Sequence, residues 1–160
     1  MPVTSGTIQG SSALNPQNVG GANIARGVGS LWPGSVQPIT ASMYTVIGAI
    51  KIMGAWARIA AEILNAGPGV WQDFQIQGQT SPDGDWITYI PGSVLSGMAG
   101  ASPPAPIAGL CNLVTADPTV LAAGANALIC FETNGLYAVQ FVAQGAATDS
   151  GGSVIASGSR

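Results

Sequence analysis

Few side chains in this sequence can do chemistry. Its 160 residues hold seven Asp and Glu, four Lys and Arg, two Cys and no His. Without imidazole there is no Ser-His-Asp triad, no Cys-His nucleophile pair and no histidine metal site, which removes the commonest hydrolase and zinc chemistries. Catalysis would have to use carboxylates alone. Glu62, Asp73, Asp83, Asp85, Asp117, Glu132 and Asp149 fall mainly in turns and outward strand positions, where solvation is their ordinary state. The densest pair, Asp83 and Asp85, would suit a calcium loop or a glycosidase by residue type. A calcium loop needs more oxygen ligands, and a glycosidase needs two carboxyls facing across a cleft. Ser81-Pro82-Asp83-Gly84-Asp85 is instead turn chemistry: Pro presets one backbone angle, Asp bonds the backbone ahead and Gly supplies positive φ. The sequence predicts a non-enzymatic protein with no catalytic residue, no cofactor and no metal site.

Cys111 and Cys130 lack the CxxC pairing of zinc and redox sites. They are expected as small, reduced, buried apolar side chains, with a disulfide formed after release as the alternative. Trp32, Trp56, Trp71 and Trp86 could stack on sugar rings. Trp71, on the polar side of its predicted strand, gives the one residue-level hint of that. Core, rim and subunit interface are the other places a tryptophan goes.

Charge is scarce, at 7% of residues against roughly 25% in ordinary soluble domains. A folded monomer of this mass would expose about 7,400 Å², or roughly one charge per 670 Å². Arg26, Lys51, Arg58 and Arg160 are scattered and cannot neutralise a phosphate backbone, so no nucleic-acid partner is expected. The N-terminus has neither a basic region nor an apolar region, so no secretory signal is expected, and synthesis in a cytoplasm follows. Val46 to Leu64 is apolar enough to raise a membrane span, but Lys51, Arg58 and Glu62 cost more than its aliphatic residues return, so none is expected.

These residues need a framework to hold them. Residues 1–42 are rich in Gly, Ser, Asn, Gln and Pro, keep no strand or helix period and carry Arg26 as their one charge. Ile24, Val28, Leu31, Trp32 and Val36 give that stretch apolar anchors. It reads as an extended arm that orders against a partner subunit through those five residues, or else as a flexible tail with an irregular first strand. From residue 43 to 160 the pattern is of short strands. Met43–Ile52 is β-branched; Ala57 to Leu64 alternates as a half-buried strand would, although Lys51, Ala55, Arg58 and Glu62 also share a helical face and Asn65-Ala66-Gly67-Pro68 would stop a helix. Strands are favoured there.

A hairpin follows, with Val70–Gln79 and Trp86–Ile90 joined by the Pro-Asp-Gly turn. Val70, Phe74 and Ile76 face one way and Asp73, Gln75 and Gln77 the other. Residues 91–126 form an Ala/Gly/Pro/Ser-rich excursion, with a short strand at Leu110–Thr115, too long for an idle loop. Ala127–Glu132 and Leu136–Val142 flank Thr133-Asn134-Gly135, a strong hairpin signal. After a Ser150-Gly151-Gly152 turn, Ser153–Ser157 is the last strand. The whole reads as all-β, an antiparallel two-sheet sandwich or jelly roll with an extended N-terminal arm.

In order and spacing, Ala57-Arg-Ile-Ala-Ala-Glu-Ile, Gly69 through the Ser81-Pro-Asp-Gly-Asp-Trp86 turn, Asn134-Gly-Leu-Tyr and Ser150-Gly-Gly-Ser-Val resemble a small β-sandwich of tailed-bacteriophage virion proteins. The resemblance covers roughly residues 55–90 and 130–160. It implies a structural virion role, most like that of capsid decoration (cement) proteins: binding the major capsid protein on the shell exterior, as a homo-oligomer with a trimer favoured, in a virion assembled in the host cytoplasm. The alternative it implies is a tail or fibre component that recognises a receptor or carbohydrate.

Overall fold

The computed structural model describes residues 36–41, 43–52, 56–100, 109–146 and 150–159. Along the chain these form β1 (Gln37–Ile39), β2 (Thr45–Lys51), β3 (Arg58–Asn65), β4 (Trp71–Gln79), β5 (Ile87–Ile90), helix α1 (Gly92–Gly100), β6 (Cys111–Val114), a 3-10 turn (Pro118–Val120), β7 (Asn126–Glu132), β8 (Ala138–Gly145) and β9 (Ser150–Ser159). Two antiparallel sheets result, a five-stranded one in the order β1-β9-β3-β7-β6 and a four-stranded one in the order β2-β8-β4-β5. The chain is an all-β sandwich.

Alternation drives each layer. In β3, Ile59, Ala61 and Ile63 are buried while Arg58 and Glu62 are exposed, so the strand reading holds and the helical one does not. Val139, Phe141 and Ala143 of β8 meet Ile129 and Phe131 of β7 in one core between the sheets. Its centre is aromatic: Trp71 stacks on Phe74 at 5.9 Å, and Phe141 meets Phe131 edge-on at 6.2 Å across the two layers.

The Pro-Asp-Gly hairpin is present, with β4 paired to β5 and the Gly84 N–H donating to the Ser81 carbonyl at 3.1 Å. Several expectations are corrected. Asn134 and Gly135 do take positive φ, 49° and 82°, as an Asn-Gly hairpin turn requires. Yet β7 and β8 belong to different sheets, so the turn carries the chain across the sandwich. The reason lies at Leu136, which fills the space left by Gly78, where a Cβ would come within 2.8 Å of Leu136 Cδ1. Asn134 Nδ2 donates to Tyr89 Oη at 2.6 Å and to the Gly109 carbonyl at 2.8 Å, pinning the crossing.

Ser150-Gly151-Gly152 is not a turn but the start of β9. These glycines serve close packing, not reversal. The expected excursion contains α1, whose Leu95 and Met98 are buried against the core. Its Gly-rich sequence gives a weak helical signal, and burial decides the outcome. Asp117 ties this region down: it accepts from the Ser96 hydroxyl at 2.6 Å and from the Thr119 N–H at 2.9 Å. Burial works against the ionised form, but these bonds outweigh it and hold the carboxyl below its usual range. Within the stretch expected as the arm, Gln37–Ile39 is an edge strand paired with β9.

Cys111 and Cys130 are free and sit on neighbouring strands. Cys111 is buried and Cys130 is half-buried, facing outward, which departs from the expectation of two interior thiols. Burial pushes both thiols up from their ordinary value. No helix among the described residues is long and apolar enough to cross a membrane.

A Cβ on Gly152 would stand 2.7 Å from Ile47 Cγ2, 2.8 Å from Ile39 Cδ1 and 3.1 Å from Trp71 Cζ2. Gly152→Val is therefore expected to destabilise the fold by about 3 kcal/mol in urea titration. Gly97, on α1 with nothing within 4 Å, is the control: Gly97→Ala should stabilise by about 0.5–1 kcal/mol.

Candidate functional site

One end of the sandwich is organised by Asn65, a fully buried side chain at the end of β3. Its Nδ2 donates to the carbonyls of Gly69 at 2.8 Å and Leu121 at 2.7 Å. Its Oδ1 accepts from the Gly67 N–H at 2.8 Å and lies 2.7 Å from the Ser150 hydroxyl. Its backbone accepts from Gly124 and donates to Ala125. A buried amide with every polar atom used is rigid. The sequence pattern gave Asn65 only the role of a helix stop; nothing local signals that one side chain joins three loops.

Around this hub the loops present apolar side chains. The Gly145 N–H donates to Thr40, Ala146 to Val70 and Trp71 to Leu121, which gathers Thr40, Val70 and Leu121 at one end. Met43 is 64% exposed and Val120 58%, with Val36, Tyr44, Val46 and Val70 also exposed. Val36 Cγ1 lies at Gly151, where a Cβ would approach it to 2.9 Å, so the described chain enters at this same end. Scattered apolar residues are ordinary, but a rim of them is the mark of a contact surface. Tyr44 bridges to Asp73, its hydroxyl donating to Oδ2. That hydrogen bond, with burial and the carboxylate's charge, pushes the phenol up to about 12.

The outer face of the four-stranded sheet continues from the rim. In register, Gln144 faces Asp73, Val142 lies between Val46 and Gln75, Gln140 lies between Ala49 and Gln77, and Ala138 lies between Lys51 and Gln79. Gln140 Nε2 donates to Gln77 Oε1 at 2.6 Å, and the Thr88 hydroxyl donates to Gln75 Oε1 at 3.0 Å. These rows hold one charge at each end, Asp73 and Lys51. At the Lys51 end lies a hollow of about 270 Å³ lined by Lys51, Ala138, Gln79, Pro82, Trp86 and Tyr137, among others. The opposite outer face differs: there Arg58 Nε donates to Glu132 at 3.1 Å, and exposed Ile155 lies in register with Glu62.

Of the five residues expected at a subunit or capsid contact, Val36 is described and exposed, at the apolar rim; Ile24, Val28, Leu31 and Trp32 lie outside the described residues. The sugar-stacking hint at Trp71 is overturned, since its side chain is fully buried. The register shifts between Trp71 and Asp73, and that bulge turns Trp71 to the same side as Phe74 and leaves Val70 exposed. Trp56 is half-buried against Gly158, and Trp32 is outside the described residues. Trp86, 37% exposed, keeps an open flank. Asp83 and Asp85 stay exposed at the hairpin tip.

No family model matches the chain, and no curated protein matches it. Among solved structures, the crystal structure of the SPBc2 prophage-derived protein YomS aligns over 78% of this chain and 93% of its own, with 11% identity and a TM-score of 0.37. That score lies below the level at which two chains share a fold.

Two measurements probe this end. Asn65→Ala takes the side-chain partner from the Leu121 carbonyl and the Gly67 N–H, while the Ser150 hydroxyl keeps the Gly69 carbonyl at 2.9 Å, and should cost about 2 kcal/mol in chemical denaturation. NMR titration of ring-labelled tyrosine, assigned with Tyr44→Phe, should place the Tyr44 midpoint near pH 12, and Asp73→Asn should return it towards the ordinary 10.0. Folding raises this phenol's proton affinity, so the contact stabilises the fold fully below pH 10 and is lost as pH rises through about 12. A wild-type Tyr44 midpoint near 10 would remove the contact.

Proposed function

We propose that the chain is a non-enzymatic structural protein of a tailed-phage virion, a capsid decoration (cement) protein that binds the shell exterior through the apolar end of the sandwich and the N-terminal segment joined to it. The observation that carries this reading is the set of Val36, Met43, Tyr44, Val46, Val70 and Val120, each exposed on a loop or a strand end at the end of the sandwich that Asn65 organises. Its one carboxylate, Asp73, is engaged by Tyr44, so covering the rim strands no free charge. A rigid apolar rim loses little conformational entropy on docking. The motif resemblance to virion sandwiches supports the same reading.

Seated at junctions between major capsid protein subunits, the protein would stabilise the shell by linkage, because it binds the assembled state and not the separated subunits. A homotrimer matches shell sites of threefold symmetry. Carboxylates offer no competing chemistry in this reading: Asp73 and Asp117 are engaged in hydrogen bonds within the fold, and Asp83 and Asp85 are solvated in a turn.

The test is co-sedimentation with purified, expanded shells. Full-length protein is expected in many copies per shell, raising the shell's disruption temperature. Val70→Asp and Met43→Asp should each weaken binding at least tenfold. Deletion of residues 1–35, which spares the β1 pairing with β9, should keep cooperative unfolding and lose shell binding. Undiminished binding by the truncated chain together with both aspartate variants would sink the proposal; a few copies found on tails would transfer it to a tail component.

A further inference from the structure

The hollow at the Lys51 end of the four-stranded sheet is built differently from the apolar rim at the other end. Its floor is Ala138, a short outward side chain on the middle strand, in register with Lys51 on one side and Gln79 on the other. The long neighbours stand up around it as walls, and the hairpin turn brings Pro82 and Trp86 over the Gln79 side. At about 270 Å³ the space suits a single ring rather than an extended chain.

Each wall asks for a different feature in a ligand. Gln79 Nε2 is committed to the Gly84 carbonyl at 2.6 Å and faces the Pro82 carbonyl at 3.4 Å. Its NH₂ is spent on the turn, and its Oε1 is left as an acceptor that takes a hydroxyl and opposes an anion. Lys51, exposed and with no carboxylate partner among the described residues, is the reverse: a cation that takes an anion. Trp86 and Tyr137 supply aromatic surface for a ring with C–H faces. A ligand must therefore bring a negative group, O–H donors and an apolar ring face within one ring's width.

The geometry points to a binding site for one carboxylated pyranose, a uronic or sialic acid residue, with its carboxylate on Lys51, a ring hydroxyl on Gln79 Oε1 and its face against Trp86. Inorganic phosphate meets only the Lys51 requirement, and a neutral hexose only the other two. The site does not rely on the shell-binding reading, since it lies at the opposite end of the sheet from the rim.

The experiment is a titration of the full-length protein at low ionic strength, followed by tryptophan fluorescence and amide NMR shifts, with methyl glucuronide, the methyl glycoside of N-acetylneuraminic acid, methyl glucoside and inorganic phosphate as probes. At least one acidic glycoside should bind saturably and ten or more times tighter than methyl glucoside, with phosphate unable to displace it. Trp86→Ala should weaken binding at least tenfold. Ala138→Leu should do the same by filling the floor. Lys51→Gln should bring the acidic and neutral glycosides to within about twofold of each other. Equal wild-type affinity for acidic and neutral glycosides, displacement by phosphate, or no saturable change with any sugar would each overturn the assignment.

Discussion

The sandwich depends on a wedge at one end, where Trp71 enters between the sheets against a strand that has no side chains to obstruct it. Trp71 Nε1 donates to the Gly151 carbonyl at 3.3 Å, and its ring comes within 3.1 Å of where a Cβ of Gly152 would stand. The same carbonyl accepts from the Ala66 N–H, and Gly152 is in register with Asn65. Burying an indole this large supplies several kcal/mol, and its one polar atom is satisfied. The two glycines give up helix and strand propensity to allow it, so the cost is local and the gain is shared by both layers.

From this wedge the rest of the site-bearing end follows. Because Gly151 and Gly152 bring β9 close, Asn65 and Ser150 meet and the loop through Gly67 and Gly69 is held by side-chain bonds instead of by strand pairing. Rigid loops can expose Val70 and Met43 without collapsing over them. The bulge beside Trp71 has a second effect: it exchanges Trp71 for Val70 between core and surface, so one register shift both builds the core and creates part of the apolar rim. At the far end the control is different. There the width of the hollow is set by Ala138 between longer neighbours, and the Pro-Asp-Gly turn positions Trp86 through Gln79.

Much of this was legible from residues alone. Alternation gave β3 and most of β4, and the Pro-Asp-Gly turn gave the β4–β5 hairpin, because period-two burial and turn angles are properties of a few consecutive residues. The Asn134-Gly135 turn shows the limit of such reasoning. Its backbone angles were readable, but whether the strands on either side pair with each other depends on Leu136 finding a slot at Gly78, far away in the chain. The same holds for Gly151 and Gly152, which look like a turn until Trp71 is placed beside them.

For the candidate sites the division is similar. Scarce charge, absent histidine and apolar anchors such as Val36 are facts of composition, and they steered function away from imidazole chemistry and towards contact surfaces. Trp71 and Trp86 could not be told apart by type, and alternation favoured the wrong one, because a single bulged residue reverses which face a side chain joins. Strand-forming alternation and the poverty of reactive groups reside in local pattern and residue type, and so were readable before any fold was known. Which tryptophan is core, where the sheets divide and which loops share an end emerge with the packed fold, since those outcomes depend on close contacts between segments that local pattern does not connect.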